Sequence, residues 1–139
     1  LIVILLVCFN IQIAYHPLRI DRNLAARNHA KKIEVISTLD APVFAPCHPY
    51  SSILAGKNPS AFWGAIYDVS ITPGKPGEQL REELHKALKE KRFRTVVLNN
   101  GFFMQEAFPY AELGATYRKT DPPKDSALLN RLVIYVPKN

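Results

Sequence analysis

The pair Cys47-His48 is the first place in the sequence where residue types suggest chemistry. A thiol and an imidazole can act as nucleophile and base, or can bind a soft metal ion. Adjacent residues on an extended backbone point to opposite sides, so these two side chains do not form a catalytic dyad by themselves. The four histidines, at positions 16, 29, 48 and 85, show no close metal-ligand spacing. We therefore predict no catalytic residue, no metal site and no cofactor in this chain.

Two glycine-containing segments could bind an anion. Gly56-Lys57 matches part of a phosphate-binding loop, but Ser51 stands where the motif requires glycine, and no serine or threonine follows the lysine. An exposed turn is the better interpretation. Residues 74–77 precede a helix whose first amides could bind an anion, but Glu78 and the acids after it already place negative charge there. This segment is therefore interpreted as a linker.

Polar residues follow the two segments that best fit parallel strands. Cys47-His48 follow the apolar segment 43–46, and Asn99-Asn100 follow the buried-strand pattern of residues 93–98. In open α/β sheets, ligands bind beyond the carboxyl ends of parallel strands. If the two strands are neighbours, one edge collects our candidate substrate-contact residues, which are His48, Tyr50, Asn99 and Asn100. Ordinary strand-exit turns would contain the same residue types, and this alternative stays open.

The elements that must position these residues follow from the apolar periodicity and from capping residues. Helices are predicted from Asp21 to about Leu39, from Ser60 toward Asp68, and from Glu78 to about Arg92. Strands are predicted at residues 43–46, 93–98, 115–118 and 132–136, with residues 47–59 irregular. This order predicts an α/β fold: a small, mainly parallel sheet flanked by helices, with an antiparallel C-terminal strand pair.

Residues 1–14 form an uncharged apolar run that is followed by Tyr15-His16-Pro17. The run is shorter than the roughly 20 residues of a spanning helix, yet the last part of a transmembrane helix explains it best. A signal peptide or lipoprotein signal lacks its processing residues here, and a buried core segment would have to bury Asn10 and Gln12. We predict the end of a transmembrane helix at residues 1–16 and a soluble α/β domain at residues 17–139.

The charge composition restricts the expected partners. Lys and Arg total 18 against 12 acids, which gives a net charge of +6 and favours anionic surfaces such as lipid headgroups. The bases are dispersed, and neither a zinc-finger spacing nor an RNA-binding signature is present, so nucleic acid is not an expected partner. Cys8 and Cys47 provide no disulfide framework and no redox motif.

Several segments occur in an order that resembles a known family. The apolar run is followed by a basic helix, by Ala41-Pro42-Val43, by Ala55-Gly56-Lys57, by Asp68 before a turn-rich linker, and by a helix that ends in Lys91-Arg92-Phe93-Arg94-Thr95-Val96-Val97. This order resembles the C-terminal soluble domain of bacterial polytopic membrane glycosyltransferases of the family 39-like or mannosyltransferase-like type. Enzymes of that type transfer a sugar from a polyprenyl-phosphate carrier.

The resemblance implies that the chemistry takes place outside this chain. In that family the acidic catalytic residue lies in an early extracytoplasmic loop between membrane helices, and no position here matches it. The resemblance implies a cell-membrane location with the domain on the extracytoplasmic side, and membrane lipid, a lipid-linked sugar and an acceptor saccharide as partners. Arg19, Arg22 and Arg27 would favour the cytoplasmic side under the positive-inside rule, so the side stays open.

Three hypotheses follow from the sequence. The first is an accessory, non-catalytic domain of a membrane glycosyltransferase. The second is a membrane-tethered, non-enzymatic binding or interaction module that uses the edge at His48 and Asn99. A self-contained α/β enzyme fits least well, because a nucleophile, a base and an orienting group cannot be assembled from these residues.

Overall fold

The computed structural model describes residues 22–100, 108–120 and 132–139 of the chain. In chain order its helices are α1 (Arg22–Ser37), α2 (Pro49–Leu54), α3 (Trp63–Ile71), α4 (Lys75–Lys89) and α5 (Tyr110–Thr116). Its strands are β1 (Val43–Phe44), β2 (Thr95–Asn99), β3 (Tyr117–Thr120) and β4 (Leu132–Pro137). The predicted transmembrane end at residues 1–16 and the predicted helix cap Asp21 lie outside the described residues. Within the described ranges, no helix is both long and apolar enough to cross a membrane.

The strands form one four-stranded sheet in the order β1-β2-β4-β3. β1 pairs in parallel with β2, with Val43 opposite Thr95, whereas β4 pairs antiparallel with both β2 and β3. The predicted α/β fold and the antiparallel C-terminal strand pair are confirmed. The expected mainly parallel sheet is a mixed one, because β4 inserts between β2 and β3 and supplies two antiparallel pairings.

The central strand β2 is buried on both faces of the sheet. Val96 and Leu98 face one apolar cluster, whereas Val97 faces the other, as the alternation of side chains along a strand requires. The first cluster includes residues of α3, α4 and α5: Trp63, Ile66, Leu84, Leu88 and Leu113. On the second face, Val35 of α1 packs with Val43, Ala45, Leu132 and Ile134. The sheet therefore separates α1 from α3 and α4.

Helix α4 begins earlier than the sequence pattern predicted. It starts at Lys75 after Gly74, which has a φ of 112°, rather than at Glu78. Gly74 permits this left-handed entry because it has no Cβ, and Pro76 is tolerated in the first turn, where its missing N–H costs nothing. The segment that we interpreted as a linker therefore already belongs to the helix. The buried residues of α4 are Gly77, Leu84, Ala87 and Leu88.

Residues 47–59, which were expected to be irregular, contain the short helix α2. Pro49 opens this helix at a position that suits proline. After α2, two hydrogen bonds hold the chain against the residues that follow β1. The Ala45 N–H donates to Ser60 Oγ at 3.0 Å, and the Trp63 N–H donates to the Pro46 carbonyl at 3.0 Å. These bonds start α3 at Trp63, three residues later than predicted. Six residues are too few to show a helical apolar period, and the sequence pattern therefore missed α2.

Candidate functional site at the carboxyl edge of the parallel strands

The carboxyl ends of β1 and β2 lie side by side, as the sequence interpretation required. β1 and β2 are parallel neighbours, and the chain leaves β1 through Ala45-Pro46-Cys47-His48. His48 Nε2 lies 2.7 Å from the side-chain oxygen Oδ1 of Asn99, the last residue of β2. The backbone N–H of His48 donates to the Ala45 carbonyl at 2.9 Å, which fixes the turn after β1. Two of the four candidate residues are thus in direct contact.

Helix α1 contributes a third residue, Lys32, to this edge. Its ammonium nitrogen lies 3.4 Å from His48 Nδ1, so both ring nitrogens of His48 have partners. A protonated lysine can only donate, and therefore Nδ1 accepts and Nε2–H donates to Asn99 Oδ1. We refer to Lys32, Cys47, His48 and Asn99 as the carboxyl-edge site.

The imidazole of His48 is neutral at physiological pH. Burial lowers its pKa to about 4, and the positive charge of Lys32 acts in the same direction, while the hydrogen bond with Asn99 opposes both. This pKa agrees with the hydrogen-bond pattern, in which Nδ1 keeps a lone pair that accepts from Lys32. Burial also lowers the pKa of Lys32, and Cys47 opposes that shift. His48 therefore connects a cation to an amide without adding a charge of its own.

The thiol of Cys47 is held in its protonated form. Burial raises its pKa, and this effect exceeds the opposing influences of a backbone hydrogen bond with Asn99 and of the Lys32 charge. A reactive cysteine requires a lowered pKa, which gives it thiolate character. The ring nitrogens of His48 contact Lys32 and Asn99, so the neighbouring pair Cys47-His48 does not form the nucleophile and base considered from the sequence.

A second pair of contacts continues from the site along α1 and α2. His29 Nε2 lies 3.4 Å from Ser51 Oγ, one helical turn before Lys32 on α1. Sequence reasoning missed His29 and Lys32 because the basic residues of this helix were expected to point to water or lipid headgroups, whereas Lys32 contacts His48. Their spacing of three residues, which places them on one side of a helix, was the signal available.

The other two candidate residues follow His48 and Asn99 in the chain. Tyr50 is in the first turn of α2 and is exposed, and Asn100, directly after β2, is exposed as well. Tyr110, at the start of α5, has a pKa raised to about 12 by burial, with contributions from Tyr135 and Cys47. Tyr110 thus interacts electrostatically with Cys47 of the carboxyl-edge site, and burial also raises the pKa of Tyr135, so both tyrosines are un-ionised at neutral pH.

The glycine-lysine segment considered as a phosphate loop has a structural role. Gly56 follows α2 with a φ of 70°, and Lys57 Nζ donates to the Leu39 carbonyl at 2.7 Å. Lys57 thus satisfies a backbone carbonyl just beyond the C-terminal end of α1. This contact supports the interpretation of the segment as a turn.

The fold and the site define a small α/β domain with a mixed sheet and a polar cluster at the carboxyl edge of its parallel strand pair. Between residues 22 and 139, the described parts of the chain contain no group of three or more His, Cys, Asp or Glu side chains that could hold a metal ion. No protein-family model matches the chain, and neither a curated protein nor a solved structure matches it.

Proposed function

We propose that this chain is an accessory extracytoplasmic C-terminal domain of a membrane glycosyltransferase that transfers a sugar from a polyprenyl-phosphate carrier. In this proposal the catalytic residues belong to the membrane part of the enzyme, and none of the residues described here is catalytic. The domain contributes a recognition surface, the carboxyl-edge site, for part of the lipid-linked sugar. Its partners are membrane lipid, the lipid-linked sugar and an acceptor saccharide.

The hydrogen-bonded chain from Lys32 through His48 to Asn99 is the observation that carries this proposal. It combines a cation, a neutral imidazole and an amide at the edge where α/β sheets bind ligands. A phosphorylated sugar presents an anionic group and several hydroxyls. An ammonium group pairs with phosphate, and an amide both donates to and accepts from hydroxyls.

His48 orients Lys32 and Asn99, and each of these two residues keeps N–H donors that can bind a ligand. His48 Nδ1 accepts from one of the three N–H groups of Lys32, and His48 Nε2–H donates to the side-chain oxygen of Asn99, so the NH₂ group of Asn99 is not used in this contact. Lys32 and Asn99 thus present donors from two different elements, α1 and β2. His48 is a positioning residue in this arrangement.

The order of segments supports the same proposal. The basic helix, the Ala41-Pro42-Val43 segment, the Ala55-Gly56-Lys57 turn and Asp68 resemble the family named from the sequence, and they fall on consecutive elements of one domain. In that family the catalytic acid lies in an early extracytoplasmic loop between membrane helices. The proposal accordingly assigns recognition, and not bond cleavage, to this domain.

Affinity measurements on matched variants test the proposal. We expect the full chain in lipid nanodiscs to bind a polyprenyl-phosphate sugar, and Lys32→Met to weaken that binding about tenfold or more, because a charge-assisted hydrogen bond is lost. Lys31→Met is the control, since Lys31 pairs with Glu34 on the same helix at 3.1 Å. Equal affinities of the two variants would contradict the proposed recognition at the carboxyl-edge site.

A membrane-tethered, non-enzymatic binding module is the second candidate. The exposed Tyr50, two residues after His48 in the chain, favours it, because tyrosines are common anchors in protein–protein contacts. The two candidates differ in their ligand: the module would bind a protein partner and would not respond to a polyprenyl-phosphate sugar. The affinity measurement described above therefore separates them.

A further inference from the structure

Helix α2 distributes its side chains in the opposite way to an ordinary surface helix. Its two serines, Ser51 and Ser52, are 4% and 0% exposed, whereas its large side chains point outward: Tyr50 at 66%, Ile53 at 52% and Leu54 at 50%. The buried hydroxyl of Ser52 has no hydrogen-bond partner in the part of the chain that the structure describes. A surface helix in water normally has its apolar side inside. The sequence of α2 therefore suits a helix whose outer face is covered by apolar material.

The direction of α2 is known from its contacts with α1. Lys32 contacts His48, and His29, three residues earlier on α1, contacts Ser51, three residues later in the chain than His48. The two helices therefore run antiparallel, and the C-terminal end of α2, with Ile53 and Leu54, lies toward the beginning of α1. The chain enters α1 at that end, because residues 1–21, which include the uncharged run of residues 1–14, precede Arg22 in the sequence. The outward apolar residues thus lie toward the end at which the chain enters α1.

The two sides of the sheet also differ in charge, and the side that exposes the apolar residues of α2 is the more positive one. Helix α1 contains four bases and one acid, and α2 contains no charged residue. Across the sheet, α3 and α4 together contain four bases and four acids. A positively charged helix beside exposed Tyr, Ile and Leu side chains is complementary to an anionic lipid surface, where apolar groups enter and basic groups pair with headgroups.

We propose that the outward face of α2, formed by Tyr50, Ile53 and Leu54, docks into the headgroup region of an anionic phospholipid bilayer. This inference rests on the membrane attachment contained in the proposed function. Docking would hold His48, the residue directly before α2, close to the lipid surface. The carboxyl-edge site would then lie at the level where the phosphate of a lipid carrier is found.

Paramagnetic relaxation in nanodiscs tests this docking with the full chain. The discs contain phosphatidylcholine and phosphatidylglycerol, with a gadolinium chelate on a small fraction of the headgroups. We expect the amide signals of Ile53 and Leu54 to lose most of their intensity, and those of Lys86 and Ile71, on the opposite side of the sheet, to be retained. Replacing phosphatidylglycerol by phosphatidylcholine should reduce the loss at α2, because fewer anionic headgroups face α1.

A matched pair of variants provides the control. Ile53→Ser and Ile71→Ser each remove an isoleucine that is 52% exposed, one on α2 and one on α3. The proposal expects Ile53→Ser to restore the signals of α2 and Ile71→Ser to leave them attenuated. Unattenuated α2 signals, with residues 1–14 attenuated, would overturn the docking but preserve the membrane attachment.

Two further outcomes would also overturn the docking. If residues 1–14 are not attenuated either, the attachment itself fails, and the proposed function fails with it. If the signals of α2 respond to the number of chains per disc rather than to lipid composition, the face is covered by a second copy of the chain and not by lipid.

Discussion

At the residue scale, His48 shows how a buried imidazole can serve as a connector. Its two ring nitrogens bind Lys32 and Asn99, and its lowered pKa keeps it neutral while it does so. The sequence indicated that His48 and Asn99 would share an edge if the strands before them were parallel neighbours, and β1 and β2 are parallel neighbours. The spacing of His29 and Lys32 places both on one side of α1, but the local pattern does not encode the packing angle of α1 on the sheet and so did not indicate that this side meets His48.

The contribution of Lys32 to the pKa of His48 can be measured directly. We expect Lys32→Met to raise the pKa of His48 from about 4, because a nearby positive charge is removed. The pKa should stay below 6.5, since burial is the larger cause and remains in place. Imidazole NMR signals titrated with pH provide the measurement. Lys31→Met serves as the control, and a His48 titration that moves equally in both variants would contradict the assigned contact.

The same pKa predicts how stability depends on pH. His48 binds a proton near pH 6.5 when the chain is unfolded and only near pH 4 when it is folded, so stability is lost as the pH falls from 6.5 toward about 4. The full shift corresponds to about 3 kcal/mol, and the partial solvent exposure of the ring reduces the expected loss to about 1–2 kcal/mol.

Comparison with His48→Gln isolates this effect from the titration of the carboxylates. Urea unfolding followed by the fluorescence of Trp63, the one tryptophan of the chain and a buried core residue, gives the free energy of unfolding at each pH. The variant should lose less stability than the wild type between pH 6.5 and 4. Equal losses in the two proteins would show that His48 does not titrate as described.

At the element scale, the reliable predictions were those supported by long periodic patterns. α1 and α4 were recognised from repeated apolar positions, and β2 from a run of β-branched and apolar residues. α2 was missed because it is short and has its apolar residues outside. The start of α4 was misplaced because Gly74 and Pro76 were interpreted as turn residues, whereas at the beginning of a helix both are well tolerated.

The junction of α3 and α4 depends on the absence of a side chain at Gly77. A Cβ there would lie 2.5 Å from the Thr72 carbonyl oxygen and 2.7 Å from that of Val69. Gly77→Ala should therefore destabilise the domain by about 1–3 kcal/mol, the usual cost of overpacking. Gly114→Ala in α5 is the control: its Cβ meets nothing within 4 Å, and the change should stabilise the helix by about 0.5–1 kcal/mol. Urea unfolding compares the two, and a neutral Gly77→Ala would contradict the close packing.

At the scale of the whole molecule, the sheet divides the domain into two sides of different character. The side of α1 and α2 is basic and exposes apolar residues on α2, and the side of α3 and α4 contains equal numbers of bases and acids. The α/β class could be predicted from the alternation of helices and strands. The insertion of β4 between β2 and β3 could not, because Val97 and Ile134 pair across a long sequence separation that no local pattern reports.

Chemical-shift mapping with the full chain in nanodiscs tests the central claim most directly, namely that the carboxyl-edge site recognises a lipid-linked sugar. A polyprenyl-phosphate sugar is titrated against the labelled protein, with the unglycosylated polyprenyl phosphate and the free sugar as separate controls. Our account predicts that the largest shifts occur at Lys32, His48 and Asn99, with smaller ones at Tyr50 and Asn100. A folded domain in which these signals do not move, or in which the shifts fall only on α3 and α4, would contradict it.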